Sequence, residues 1–316
     1  MPPYDAFLLV SFGGPEGPDD VLPFLENVTR GRNIPRARLE AVAEHYLEFG
    51  GVSPINEQCR ELIAALDLPL PVYWGNRNWT PYLTGTVREM TEAGVRRALA
   101  FVTSAYRSYS SCRQYLEDIE RARAAAGPGA PVIDKIQRFY DHPGFTGPFA
   151  ANLLAALATV PEDAHVVFTA HSIPLAMAAA AGPGGGRYEA ELTRACRLIS
   201  EQTRVHRPWS LAYTSRSGPP SQPWLEPDIN DHLTDLAGRG VRAVVVAPVG
   251  FVSDHMEVRN DLDVEAARTA KSLGLAFARA ATPGIQLAPM IGELVRGHLA
   301  DGPPLACPTG CCLGFA

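Results

Sequence analysis

Short, continuously apolar runs alternate along this chain with longer mixed stretches. Val166-Val167-Phe168 and Val244-Val245-Val246-Ala247 leave no polar position for a solvent-facing side. A strand apolar on both faces belongs in a parallel sheet covered by helices. These and other short β-type runs predict strands at Ala6–Phe12, Leu70–Trp74, Ala98–Ser104, Pro131–Ile136, His165–Ala170, Ser210–Thr214, Ala243–Pro248 and Leu275–Ala280. The stretches between them predict helices over Arg36–Phe49, Pro81–Ala93, Tyr115–Ala126, Phe149–Ala158, Glu189–Val205 and Ile229–Ala237, with a last one near Pro289–Ala300. Strand alternating with helix gives βαβ units. The predicted fold is therefore α/β, with two doubly wound, Rossmann-like domains, a four-stranded parallel sheet in each, and a cleft between them. The turn formers Asp141-His142-Pro143-Gly144-Phe145 mark the boundary. That gives domains at 1–145 and 146–285, then a C-terminal helix and Cys-rich tail at 286–316, the helix crossing back onto the first domain. Gly182-Pro183-Gly184-Gly185-Gly186 reads as a surface loop.

Composition narrows the function. With 316 residues, 46% apolar and 20% charged, the chain is an ordinary globular one. A net charge of −6 gives no basic surplus to neutralise a phosphate backbone, so no nucleic-acid partner is expected. Six cysteines are too few for a disulfide-stapled secreted scaffold. The first strand begins without a basic and apolar leader, and no apolar run approaches the ~20 residues of a membrane span. The expected compartment is the cytoplasm, with no transmembrane segment.

Unusual residues cluster at the predicted strand ends, where open α/β sheets bind ligands. His171 follows the fifth strand in Thr169-Ala170-His171-Ser172-Ile173-Pro174, fixed in a turn because Pro174 disfavours helix at the residue before it. It reads either as a hydrogen-bonded structural histidine or as a metal ligand and proton acceptor. After the seventh strand, Glu257, Asp261 and Glu265 recur every four residues and share one face of a helix. The line is either a solvated acidic face or a run of hard donors for a divalent cation, with Asp263 pointing elsewhere. No Gly-x-Gly-x-x-Gly, Walker, Gly-x-Ser-x-Gly or His-Glu-x-x-His pattern competes. Cys307, Cys311 and Cys312 make a dense thiol cluster near the C-terminus: a zinc site, an iron–sulfur site, or an incidental reactive tail. Since a [2Fe–2S] centre takes four ligands, a fourth would come from Cys59, Cys112 or Cys196.

In order along the chain, Ser11-Phe12-Gly13-Gly14-Pro15, Gly50-Gly51-Val52-Ser53-Pro54, Thr169-Ala170-His171-Ser172-Ile173-Pro174, Pro223-Trp224-Leu225 and Pro248-Val249-Gly250-Phe251-Val252-Ser253-Asp254-His255-Met256-Glu257 resemble the ferrochelatase family over about residues 4–285. The cysteine tail resembles that of its iron–sulfur-containing bacterial branch, and the chain is similar to the coproporphyrin-specific members of monoderm bacteria. The resemblance implies chelatase-type domains and a lyase that inserts Fe²⁺ into coproporphyrin III, releasing two protons, in heme biosynthesis. The alternatives are protoporphyrin IX as substrate, or a non-catalytic tetrapyrrole carrier. It implies that His171 and Glu257 contact the incoming iron and that Asp261 and Glu265 continue the metal path. Porphyrin contacts are implied for Phe12, Ser53 and Tyr115, and propionate contacts near Arg30 or Arg32, His45 and Tyr46. A [2Fe–2S] cluster is implied on Cys112, Cys307, Cys311 and Cys312. A monomer is expected, with a downstream heme-synthesis enzyme as a partner. Two positions depart from the family pattern: Phe12, where a tyrosine able to ligate iron is common, and Asn260, where an aromatic residue is usual.

Overall fold

The computed structural model describes residues 4–31, 34–219, 221–308 and 310–314. Contacts group the chain into two compact units. One comprises Met1–Thr103, Gln114–Gln137 and Ile291–Leu305; the other comprises Ser104–Arg113, Arg138–Met290 and Ala306–Ala316.

The first unit carries β1 (Ala6–Ser11), β2 (Val72–Asn76), β3 (Arg97–Val102) and β4 (Val132–Lys135) in one sheet ordered β2-β1-β3-β4. Every pairing is parallel. Its helices are α1 (Pro18–Val28), α2 (Arg36–Glu48), α3 (Ile55–Ala65), α4 (Leu83–Glu92) and α5 (Gln114–Ala126). β1 is buried along its whole length. Leu83, Val87 and Met90 of α4, and Tyr115, Ile119 and Ala122 of α5, close over it at helical spacing.

The second unit repeats the plan. β5 (His165–His171), β6 (Trp209–Thr214), β7 (Ala243–Ala247) and β8 (Ala276–Arg279) form a parallel sheet ordered β6-β5-β7-β8. Around it lie α6 (Pro143–Leu157), α7 (Leu175–Ala179), α8 (Arg187–Thr203), α9 (Ile229–Gly238), α10 (Met256–Val258) and α11 (Ala267–Ser272); α12 (Ala288–Asp301) follows. In both sheets the order reverses beside the first strand, so each has a switch point at the carboxyl ends of its two central strands.

All eight predicted strands form, within a residue or two at each end. The two four-stranded, all-parallel α/β sheets are as expected. Several helices, α1, α3, α7 and α11 among them, have no counterpart in the predicted set. α1 begins with Pro18 and contains Pro23, and a proline inside a pattern reads as a breaker. It holds because Val21, Phe24 and Leu25 bury in an aromatic cluster. α3 begins behind Ser53-Pro54, which reads as a turn. α6 starts at Pro143, inside the expected boundary turn, because the His142 side chain caps it by accepting from the Gly144 N–H at 3.0 Å. Among the described residues no helix is long and apolar enough to cross a membrane.

Candidate active site

β5 delivers His171 as its last residue. The strand is buried up to that point, and the imidazole is the first side chain to emerge. Its backbone carbonyl accepts from the Tyr188 hydroxyl at 2.8 Å. The next residue is locked by Ser172 N–H to Thr214 O at 2.8 Å and Ser172 Oγ to Leu225 O at 2.8 Å. Pro174 and Trp224 then pair antiparallel, which explains why Ser172-Ile173-Pro174 and Pro223-Trp224-Leu225 occur together. The His171 Nδ1 is hydrogen-bonded to the Ser172 carbonyl. A carbonyl can only accept, so the proton sits on Nδ1 and Nε2 presents its lone pair.

That lone pair meets Glu257. The His171 Nε2 to Glu257 Oε2 distance is 3.6 Å, too long for a hydrogen bond. Two donors that each bind one cation at about 2.1 Å stand no more than about 4 Å apart, so the gap admits a shared ion. Glu257 is held here because β7 ends in a tight turn. Gly250 N–H donates to Thr169 O at 3.0 Å, and a Cβ on Gly250 would lie 2.6 Å from Ala170 Cα. Only glycine lets the two strand ends approach so closely.

His255, to which the sequence pattern assigns no role, is a third member. Its Nδ1 lies 4.0 Å from Glu257 Oε2, and its ring packs edge-on to Phe251 at 5.1 Å. Burial pushes its pKa down, and so would a charge on His171, against the pull of Glu257 and Asp254. It is therefore a neutral imidazole near pH 7.

The carboxylate line is real, but the helix beneath it is not purely α. α10 passes into a π-helical run, Arg259–Ala266, before α11 resumes. In an α-helix four residues slightly exceed a turn; in the wider π turn they fall slightly short. The buried positions Val258, Leu262, Ala266 and Ala270 also recur every four residues. This sustained period of four was the available signal for the π segment. Asp261 accepts from the Ser215 hydroxyl, whose residue holds a left-handed φ of 62°. The Asn260 amide, a departure from the family pattern, bridges Asp261 Oδ1 and Glu265 Oε1 at 3.2 Å each. Burial, and then the charge of Glu257, raise the Asp261 carboxyl to about 6.

The remaining expected residues fall in several places. Phe12 and Tyr46 pack around Phe24, at centroid distances of 6.3 and 6.1 Å, with Trp79 beside it. Arg30 and His45 are exposed, while Ser53 and Tyr115 are buried. Arg32 lies outside the described residues. Arg77, which no sequence pattern singled out, lies over the Tyr115 ring at 4.4 Å and nearer the Phe12 ring than 6 Å, paired with Asp118. Cys311 and Cys312 are buried with their sulfurs 3.6 Å apart, Cys112 is buried and Cys307 half-buried. Burial raises the Cys311 thiol to about 11 and pushes Cys312 up as well. Among the described residues no three or more His, Cys, Asp or Glu side chains are grouped to hold a metal ion. The expected four-cysteine site is therefore not assembled in this structure.

The ferrochelatase family model matches residues 4–299. The coproporphyrin III ferrochelatase of Frankia alni is 54% identical over 335 residues, covering 98% of this chain and 86% of the relative. That of Nocardia farcinica is 54% identical over 341 residues, covering 98% and 96%. Among solved structures, SirB from Bacillus subtilis with Fe³⁺ aligns with a TM-score of 0.57 at 13% identity, over 94% of this chain and 96% of that one; it shares the fold.

Proposed function

The chain belongs to the ferrochelatase family, and on that premise we propose that it is a coproporphyrin III ferrochelatase, a lyase inserting Fe²⁺ into coproporphyrin III in heme biosynthesis. The observation that carries the mechanism is the free Nε2 of His171 facing the Glu257 carboxylate at 3.6 Å.

Insertion must strip Fe²⁺ of solvent, present it to one face of the macrocycle, and remove two pyrrole protons. In our reading His171 and Glu257 receive the ion. Imidazole nitrogen and carboxylate oxygen both suit ferrous iron, and two protein donors hold it loosely enough to be surrendered to four pyrrole nitrogens. As iron leaves Nε2, that lone pair is free to take a departing proton. Each pyrrole N–H bond breaks with its electron pair left on the nitrogen, which then binds iron with it, so the balance is one Fe²⁺ in and two H⁺ out. Asp261, its carboxyl raised to about 6, can accept a proton and release it, and the Asn260 bridge links it to Glu265. His255 adds a neutral imidazole beside Glu257. Phe12 and Tyr46 offer apolar contacts to the ring. Arg30 and His45 suit the propionates. Ser53 and Tyr115, both buried, are the further porphyrin contacts that the family resemblance implies.

Anaerobic insertion assays with both porphyrins test the reading. The wild type is expected to favour coproporphyrin III over protoporphyrin IX by about tenfold or more in kcat/KM. One lost charged contact costs roughly a factor of ten. Glu257→Gln should slow insertion by about a hundredfold while tetrapyrrole still binds. Equal use of both porphyrins would remove the substrate assignment. A fully active Glu257→Gln would remove the mechanism.

A [2Fe–2S] cluster on Cys112, Cys307, Cys311 and Cys312 is a separate part of the proposal. What supports it is the donor type and the electrostatic reach of Cys112 to both Cys311 and Cys312; among the described residues the four sulfurs are not gathered into a site in this structure. The cluster would cross-link the tail, and no step of insertion passes through it. Anaerobically purified full-length protein should show visible sulfur-to-iron charge-transfer bands that Cys312→Ser abolishes. A colourless preparation with active insertion would eliminate the cluster alone. A monomer in the cytoplasm, handing its product to a later enzyme of heme synthesis, completes the proposal.

A further inference from the structure

One guanidinium holds two acidic side chains that flank the proposed iron-binding residues on either side. Arg279, the last residue of β8, donates to Asp254 from Nη1 to Oδ1 and from Nη2 to Oδ2, both at 3.1 Å. It also donates to Asp263, from Nε to Oδ1 at 2.5 Å and from Nη2 to Oδ2 at 3.1 Å. Asp254 stands three residues before Glu257, and Asp263 two residues after Asp261. Thr282 Oγ1 adds a bond to Asp254 Oδ1 at 2.9 Å. Arg279 and Asp254 are largely buried, with side chains 16% and 15% exposed. Two fork-to-fork pairs on one planar group fix orientation as well as distance.

We propose that Arg279 is a positioning residue for iron insertion: it clamps the loop leading to Glu257 and the π-helical run bearing Asp261 in one register. Its partners are Asp254 and Asp263, not the residues read here as receiving the ion. A π segment is a rare, poorly propagating form of helix, so Asp261 and Glu265 depend on something outside the helix to keep their places. Asp263 sits within that segment and points away from the ladder, onto Arg279. Asp254 sits on the loop and does the same from the other side. The inference rests on the reading of Glu257 and Asp261 as the metal side of the site.

The test is steady-state anaerobic Fe²⁺ insertion with each substrate varied in turn, on Arg279→Gln, Arg279→Lys and Asp263→Asn, beside Glu257→Gln. A misplacement near 1 Å costs up to about a hundredfold. Arg279→Gln should raise the KM for iron by ~10-fold or more and lower kcat, while coproporphyrin affinity, read by fluorescence titration, stays within about twofold. Arg279→Lys keeps the charge but not the fork and should fall between. Asp263→Asn keeps the Asp254 pair and should raise the iron KM by roughly three- to tenfold. A purely structural role would reduce the active fraction, lowering kcat and leaving both KM values alone. Should Arg279→Gln fail to fold, Asp263→Asn decides. An unchanged iron KM in the folded variants, with Glu257→Gln inactive, overturns the clamp. An active Glu257→Gln overturns the site reading and the clamp with it.

Discussion

A His171→Ala variant should fold as the wild type does and insert ferrous iron about 10²–10⁴-fold more slowly, the range set by removing a positioned proton acceptor. The fold should survive because little of it depends on the ring. The His171 backbone stays held by Tyr188 and by its pairing with Thr214. The imidazole is a third exposed, and its one hydrogen bond reaches the neighbouring carbonyl. Truncation therefore leaves no deeply buried group without a partner, and its stability cost should stay near or below about 1 kcal/mol. The rate should collapse because two functions leave together: a nitrogen donor for the ion and a base that is released as the ion moves on. Stopped-flow insertion with matched thermal melts checks both halves. A rate within threefold of wild type would show that the ring is a structural histidine after all.

Legibility in the sequence divided along a physical line. What is written over short stretches was readable: all eight strands followed from short β-type runs, and their parallel arrangement from the several that are continuously apolar. His171 was readable because it ends such a run at a strand's carboxyl end, and Glu257 because it opens a run of carboxylates spaced four apart beyond the turn that follows another. What depends on distant packing was not readable. α1 carries two prolines and is rescued only by burying Phe24 among rings from other segments. Arg77 gains its meaning from Asp118 and Tyr115, far along the chain. The π segment lay in between. A period of four in both the acidic and the apolar stripes was present, yet a short helix with such a period passes for an α-helix unless both stripes are followed over several turns. Asn260, which stood out only as a departure, proved to be the amide joining two rungs of the ladder.

The same distance problem hid the group with the largest expected effect on stability. Ser104-Ala105-Tyr106-Arg107 comes soon after the carboxyl end of β3, where open α/β sheets bind ligands. In the second unit the Tyr106 hydroxyl is instead spent on Val249 O at 2.9 Å. Arg107 gives its backbone N–H and its guanidinium to Glu191 of α8, at 2.9 and 2.6 Å. Arg138 approaches the same carboxylate at 3.4 Å. Glu191 is only 2% exposed. Burial pushes its carboxyl up, against two guanidiniums that pull it down. Glu191→Ala should therefore cost about 3–5 kcal/mol in urea unfolding, since it strands a mostly buried cation and a backbone donor together. Replacing both partners, Arg107→Met with Glu191→Leu, should recover most of that loss, because paired charges and packed apolar groups of similar volume are nearly equivalent inside a protein. The arrangement's worth would then lie in tying the Ser104–Arg113 segment, with Cys112 in it, onto α8 in one position. If the double substitution is as damaging as the single one, the ion pair itself supplies the stability, and that account of Glu191 fails.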